Sequence, residues 1–374
     1  MIQLRPYQEA AIAAVYDRLA GGDDHPCVVI PTGGGKGLIV GKICADIVQR
    51  WKGRILVLTH VKELVSQNAA QAARFLDAQQ VGINSAGLKR RDIEHPVIVA
   101  GIQSVYLRAC DLGRFDIILI DEAHLIPLDG EGMYRTFLAD ARTINPLVRV
   151  VGLTATPFRL KDGPICAPGN ILTAVCYEIG VKELIRDGFL SPLISTAGMT
   201  KADTSSLHVR GGEFVPGEVE QLMDEEGLVR TACAEILSLS RDRRAILIFA
   251  AGVHHAEHVA NELREVHGAD VACIFGHTTD GERDHLVTRF KAGELRFLVN
   301  VTVLTTGFDA PHIDAVVLLR PTLSPGLYYQ MVGRGFRLAP GKTDCLILDF
   351  GGNVLRHGPV DALKLSQQED RGTG

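Results

Sequence analysis

The 374-residue chain has no C-x-x-C pair: its eight cysteines, Cys27, Cys44, Cys110, Cys166, Cys176, Cys233, Cys273 and Cys345, are scattered. That spacing offers neither a zinc framework nor a disulfide scaffold. Most of these cysteines lie in apolar runs and read as small buried hydrophobes. No apolar run approaches the roughly 18 residues of a membrane span, so no membrane association is expected. Met1-Ile2-Gln3-Leu4-Arg5 lacks a signal-peptide pattern, and an intracellular, cytoplasmic location is expected from it. A basic surplus is missing too. With a formal net charge of −5, any groove that grips nucleic acid must be locally basic on an acidic molecule.

What is present is a globular composition, 46% hydrophobic and 22% charged, over a length that suits two α/β domains. The chain is organised around Val28-Val29-Ile30-Pro31-Thr32-Gly33-Gly34-Gly35-Lys36-Gly37, where a strand-like run meets three glycines and a lysine. A helical pattern follows from Leu38. Glycines at such a junction let backbone N–H groups close around a phosphate at the positive end of the next helix. The lysine then reaches the β- and γ-phosphates. One group is lacking. The pattern G-x-x-x-x-G-K-[ST] places a hydroxyl after the lysine as a Mg²⁺ ligand, whereas this chain has Gly37, with no substitute in Leu38-Ile39-Val40.

Leu4-Arg5-Pro6-Tyr7-Gln8 predicts a helix start, with Pro6 at the first helical position. Strand runs are expected at Arg54–Thr59 (apolar after its arginine), Pro96–Ala100, Phe115–Ile120 and Val148–Leu153, alternating with helical stretches such as Val61–Leu76. The pattern predicts a parallel sheet flanked by helices, with ligands beyond the carboxyl ends of the strands. Gly33–Lys36, Asp121 and Thr154 would gather there. The pattern lapses at Lys161–Asn170 and again at Leu193–Gly217, which predicts a first domain over 1–190, an irregular connector over 191–216 and a second α/β domain over 217–355. Its strands are expected at Ala245–Phe249, Val271–Phe275, Arg296–Val301, Ala315–Leu319 and Cys345–Asp349, with a polar tail over 356–374.

Asp121 and Glu122 end a strand, so one carboxylate can hold Mg²⁺ and its neighbour can face the attacking water of triphosphate hydrolysis. In the second domain Arg334 and Arg337, three apart, are expected on one helix face, where arginine can stabilise charge on a transferring phosphoryl group. The i, i+4 pair in His254, His255 and His258 supplies too few ligands for a metal site. Lys89-Arg90-Arg91 fits a DNA grip and a solvated loop equally well.

Taken together these segments resemble the superfamily 2 helicases from residue 4 to about residue 350. Arg5-Pro6-Tyr7-Gln8 is similar to the adenine-reading Q motif, Pro31–Lys36 to motif I, Thr59–Leu64 to Ia and Gly101–Val105 to Ib. Asp121-Glu122-Ala123-His124 resembles a DEAH-type motif II, Thr154-Ala155-Thr156 motif III, Val301–Asp309 motif V and Gln330–Arg337 motif VI. Ala86–Arg91, Leu304–Pro311 and Arg337–Cys345 resemble the RadD-like bacterial and phage DNA-repair helicases, though without the Cys-rich extension such relatives often carry.

The resemblance implies two RecA-like domains hinged around a cleft and ATP-driven action, with Mg²⁺, on single-stranded or forked DNA. A single-strand-binding or repair protein is a further expected partner. It implies that Arg5, Gln8, Pro31, Thr32, Gly33, Gly34, Gly35, Lys36, Gly37, Gly307 and Asp309 bind nucleotide. Asp121 would hold Mg²⁺, Glu122 would act as base, and Arg337 would be the arginine finger with Arg334 beside it. His124, Thr154, Thr156 and Gln330 would couple the nucleotide to the DNA groove, where Thr59, Lys62, Gln103, Ser104, Thr302 and Thr305 would meet the backbone. Two rivals stand beside this reading: a restriction-type translocase subunit with the same motifs, and a nucleotide-responsive DNA-binding scaffold that hydrolyses little ATP because of Gly37.

Overall fold

A computed structural model describes residues 2–22, 25–128, 132–159, 163–198, 202–305, 307–308 and 310–360. The expected site residue Asp309 and most of the expected polar tail lie outside the described residues.

The described residues form two compact units, one up to Gly180 and one from Val181. The first opens with α1 (Pro6–Ala20), where Pro6 takes the first helical position and the Gln8 side chain caps the Arg5 amide. Then come β1 (Pro26–Val29), α2 (Lys36–Ala45), β2 (Ile55–Thr59), α3 (Lys62–Ala72), β3 (Val81–Ser85), β4 (Arg90–Arg91) and β5 (Val97–Gly101). Short helices α4 (Ile102–Val105) and α5 (Ala109–Leu112) lead to β6 (Ile117–Asp121), α6 (Met133–Ile144) and β7 (Arg149–Thr154). A small hairpin of β8 (Phe158–Arg159) and β9 (Gly163–Pro164) precedes β10 (Ala174–Glu178).

The main sheet has the order β10-β1-β7-β6-β2-β5-β3-β4 and is parallel except where β4 turns back on β3. Its central strands are buried on both faces, which is why they read as continuous apolar runs. Cys27, Leu56, Ile98, Ile118, Phe137 and Val150 belong to the core on one side of this sheet.

On the other side, α2 and α3 approach closely. A Cβ on Gly41 would lie 2.5 Å from the Gln71 carbonyl oxygen and 2.9 Å from Phe75 Cδ2, so this contact requires glycine. Gly37, one turn earlier, faces the Gln71 side chain, where a Cβ would meet Cγ at 3.0 Å.

The second unit comprises α7 (Val181–Arg186), β11 (Leu193–Ala197), β12 (Val209–Arg210), β13 (Glu213–Phe214), α8 (Pro216–Met223), α9 (Glu226–Leu239), β14 (Ile246–Ala250) and α10 (Val253–Asn261). It continues with β15 (Val271–Ile274), α11 (Asp280–Lys291), β16 (Phe297–Asn300), β17 (Ala315–Leu319), α12 (Pro325–Val332), β18 (Cys345–Asp349) and α13 (Asn353–His357). The sheet order is β11-β18-β17-β14-β16-β15, parallel throughout.

Three boundaries differ from expectation. The division falls at 180/181 rather than 190. The expected connector over 191–216 contains β11, which pairs with β18 along its whole length, and the β12–β13 hairpin. The expected tail begins inside α13, whose His357 Nε2 lies 2.8 Å from the Thr322 carbonyl oxygen. Among the described residues no helix is long and apolar enough to cross a membrane.

Because Gly41 sits against backbone, Gly41→Ala should destabilise the protein by about 1–3 kcal/mol, the usual range for overpacking. Urea unfolding measures this, and an unchanged midpoint would contradict the α2–α3 packing described.

Candidate active site

The carboxyl ends of β1, β7 and β6 are neighbours in the sheet, and the residues after them form one cluster. Gly33 and Gly35 have φ of 82° and 78°, the left-handed region that glycine enters at no steric cost, and Gly35 caps α2. A Cβ on Gly35 would meet the Gln8 amide nitrogen at 2.5 Å. The Gly34 amide donates to the Pro31 carbonyl and the Ile30 amide to that of Thr154, both at 3.0 Å.

Lys36 is partly buried rather than solvent-facing. Its Nζ donates to the Ile30 carbonyl at 3.3 Å and lies 3.9 Å from Glu122 Oε1. The Q-motif-like segment braces this loop: Tyr7 donates its hydroxyl to the Gly34 carbonyl at 2.7 Å, and Gln8 Nε2 reaches the Gly34 and Gly35 carbonyls at 3.3 and 3.4 Å. Arg5 Nη1 donates to the Tyr7 hydroxyl at 3.1 Å.

Asp121, the last residue of β6, is buried and accepts from two sides. The Glu122 amide donates to Oδ1 at 3.0 Å and Asn68 Nδ2 donates to Oδ2 at 2.9 Å. Burial, and then the charge of Glu122, push the Asp121 carboxyl up to about 6, against the pull of Lys36 and these donors. Glu122 itself has a φ of 56°, a conformation that costs a non-glycine residue of order 1 kcal/mol or more and clusters at functional sites.

His124 Nδ1 lies 3.0 Å from Thr154 Oγ1 and 3.4 Å from Glu122 Oε2. Thr154 Oγ1 donates to the Thr156 carbonyl and accepts the Thr156 amide, each at 3.0 Å. The Thr154 hydroxyl and the Glu122 carboxylate both lie within reach of His124 Nδ1, so a proton on that nitrogen has two acceptors. The four residues Glu122, His124, Thr154 and Thr156 therefore form one chain of contacts.

Three polar groups escaped the sequence reading here. Burial lowers the His60 pKa while Glu122 opposes the shift, and burial followed by the charges of Asp121 and Glu122 raises that of Tyr134. Thr59 Oγ1, His60 Nδ1 and the Tyr134 hydroxyl are buried without a hydrogen-bond partner among the described residues. The third, Asn68, lies on the buried stripe Val65, Asn68, Ala69 and Ala72 of α3. A polar residue on an apolar stripe was a legible signal.

Of the expected backbone contacts in this unit, Thr59 is fully buried at the end of β2, and Lys62 begins α3. Gln103 Nε2 donates to the His60 carbonyl at 2.8 Å, and Ser104 Oγ accepts the Ala86 amide at 2.9 Å. Arg90 of the basic hairpin pairs with Asp92.

In the second unit the helical expectation for the two arginines is corrected. α12 ends at Val332, Arg334 lies in a 3₁₀ turn over Gly333–Gly335, and Arg337 follows it. The glycines on either side of Arg334 disfavour a continued α-helix. Both arginines nonetheless donate through Nη1 to the Phe308 carbonyl at 2.9 Å, beside Gly307. Lys342 Nζ holds the same turn through the Gly335 and Arg337 carbonyls at 2.7 and 2.8 Å.

Gln330 lies on α12, and its carbonyl accepts from Arg334 Nε at 3.3 Å. Thr302 has a φ of 56°, and Thr305 Oγ1 donates to its carbonyl at 2.6 Å. The histidines are structural: His255 Nδ1 accepts the Ala251 amide, and His258 pairs with Asp224. No group of three metal-ligating side chains occurs among the described residues.

Two family models match this chain, "Type III restriction enzyme, res subunit" over residues 1–159 and "Helicase conserved C-terminal domain" over 228–339. IRC3 of Saccharomyces cerevisiae, whose name assigns it provisionally as an ATP-dependent helicase, is 30% identical over 93% of this chain and 51% of its own length. A mitochondrial counterpart from Schizosaccharomyces pombe is 30% identical over 95% of this chain and 58% of its own. The chain thus spans a little over half the length of these relatives. A fragment of an HsdR subunit of a type I restriction enzyme from Vibrio vulnificus shares the fold with a TM-score of 0.70 at 22% identity, covering 96% of this chain and 67% of that one. Residues 1–159 and 228–339 thus match domain families found in superfamily 2 helicases.

A pH dependence follows from Asp121. Its carboxyl holds a proton in the fold between 3.8 and about 6, where the unfolded chain has lost it, so its contribution to stability falls as pH rises through that interval. The melting temperature of Asp121→Asn should therefore gain on that of the parent between about pH 4 and about pH 6.5. A constant difference across that range would contradict the assignment.

Proposed function

We propose that this chain hydrolyses ATP and uses the cycle to move along or remodel DNA of single-stranded or forked character, in repair or recombination. The observation that carries the reading is the convergence of Gly33–Lys36, Asp121, Glu122, His124 and Thr154 at the carboxyl edge of one parallel sheet.

The loop fits a phosphate because Gly33 and Gly35 turn it without side chains, at the N-terminus of α2. Asp121 is a hard oxygen donor of the kind Mg²⁺ takes, with waters completing the shell where Gly37 offers none. Bound there, Mg²⁺ would neutralise phosphate charge.

Lys36 would exchange the Ile30 carbonyl for phosphate oxygens. Glu122 would accept the proton of the attacking water, held in place by its strained backbone and by His124. Through Thr154 and Thr156 that contact would pass to neighbouring loops. Arg337, with Arg334 beside it, would add positive charge during turnover, and Gly307 and Asp309 would contribute to nucleotide binding. Arg5 and Gln8 would meet the base, with Pro31 and Thr32 shaping the loop. Thr59, Lys62, Gln103, Ser104, Thr302 and Thr305 would grip phosphates, which position a strand without reading its sequence. A cytoplasmic location and a repair-protein partner accompany this reading.

A second reading, a restriction-type translocase subunit, has the res-subunit match in its favour. It predicts stimulation by duplex DNA without ends or forks.

Lys36→Ala should abolish ATP turnover, and Glu122→Gln should slow it by about 10²–10⁴ while nucleotide still binds. Steady-state hydrolysis with and without single-stranded DNA measures both, and near-parent rates would sink the assignment. Arg337→Ala should depress turnover strongly with little change in nucleotide affinity; a matching loss of affinity would make it a binding residue instead.

A further inference from the structure

We propose that Asn68 is a positioning residue for the metal-holding carboxylate of Asp121 and compensates for the hydroxyl that Gly37 lacks. The inference rests on the nucleotide-site reading and deepens it.

The space beside residue 37 is not open. A Cβ there would lie 3.0 Å from Gln71 Cγ and 3.7 Å from its Cδ. Gly41, on the same face of α2, meets the Gln71 backbone still more closely, so two glycines one turn apart seat α3 against α2. Asn68 lies one turn before Gln71 on α3, and it donates Nδ2 to Asp121 Oδ2 at 2.9 Å. Both side chains are buried, with Asn68 3% and Asp121 5% exposed.

A carboxylate can only accept, so the amide nitrogen must face it. The Glu122 amide takes the other oxygen, and Asp121 is thereby fixed from both sides. With no hydroxyl at position 37, Asp121 is the one side-chain oxygen that the nucleotide-site reading gives to Mg²⁺, and its orientation governs how well the ion would be held. Groups that orient a ligand in this way typically change metal affinity by about 10–100-fold when removed. The absent hydroxyl and the buried amide are thus two halves of one arrangement: glycine admits α3, and α3 brings Asn68.

The test is the Mg²⁺ dependence of binding a fluorescent ADP analogue, measured without turnover. Asn68→Leu should raise the half-saturating Mg²⁺ concentration by about 10-fold or more while leaving affinity in EDTA unchanged. Asn68→Ser should move it in the same direction and serves if the leucine variant does not fold. Adding Gly37→Ser together with Gln71→Ala, which clears room for the hydroxyl, should recover most of the loss in the Asn68→Ser background.

An unchanged Mg²⁺ requirement in the folded Asn68 variants overturns the proposal. So does an equal loss of affinity with and without Mg²⁺, which would mark Asn68 as a structural staple. A restored hydroxyl that recovers nothing overturns the compensation. A parent protein that binds the analogue under neither condition refutes the nucleotide site itself, an outcome distinct from the others.

Discussion

The structure of the site depends on one constraint, the burial of the Asp121 carboxylate at the end of β6. A charge in that position is tolerated only where donors or an opposite charge face it: the Glu122 amide and Asn68 donate to it, and the charge of Lys36 attracts it. Each of the three groups comes from a different piece of local structure. The first needs the left-handed turn at Glu122, the second the glycine-lined contact of α2 with α3, and the third the phosphate-type loop. The parallel sheet brings the three together because β1, β7 and β6 end at one edge.

Much of this was legible in the sequence. The central strands were readable because burial on both faces leaves nothing but apolar residues, as in Ile117–Asp121 before its acid and in Ala315–Leu319. Among the strands longer than two residues, those that escaped notice are β3, β10 and β11. Two are edge strands of their sheets, and β3 is followed only by the two-residue β4. Ile194 in β11 is exposed, and Gly82, Asn84 and Ser85 dilute β3, so neither run carries a strong apolar signal. The domain boundary was misplaced for the same reason.

At the site, sequence motifs located the phosphate-type loop and the acidic pair, but not the contacts that hold them. The expected role for Gln8 says nothing of its hydrogen bonds to Gly34 and Gly35, and Tyr7 was not singled out at all. The arginines illustrate the opposite case. Their spacing suggested one helical face, and a 3₁₀ turn instead delivers both guanidinium groups to the Phe308 carbonyl. Gly37 read as a lost ligand in the linear sequence, whereas in three dimensions it is also a point of helix packing.

The most direct measurement of the central claim is a crystal structure with a non-hydrolysable ATP analogue and Mg²⁺. The account predicts the phosphates on Gly33–Lys36, Lys36 Nζ moved from the Ile30 carbonyl onto phosphate oxygens, and the metal on Asp121. An analogue bound elsewhere, or Lys36 still on Ile30 with the metal away from Asp121, would contradict it.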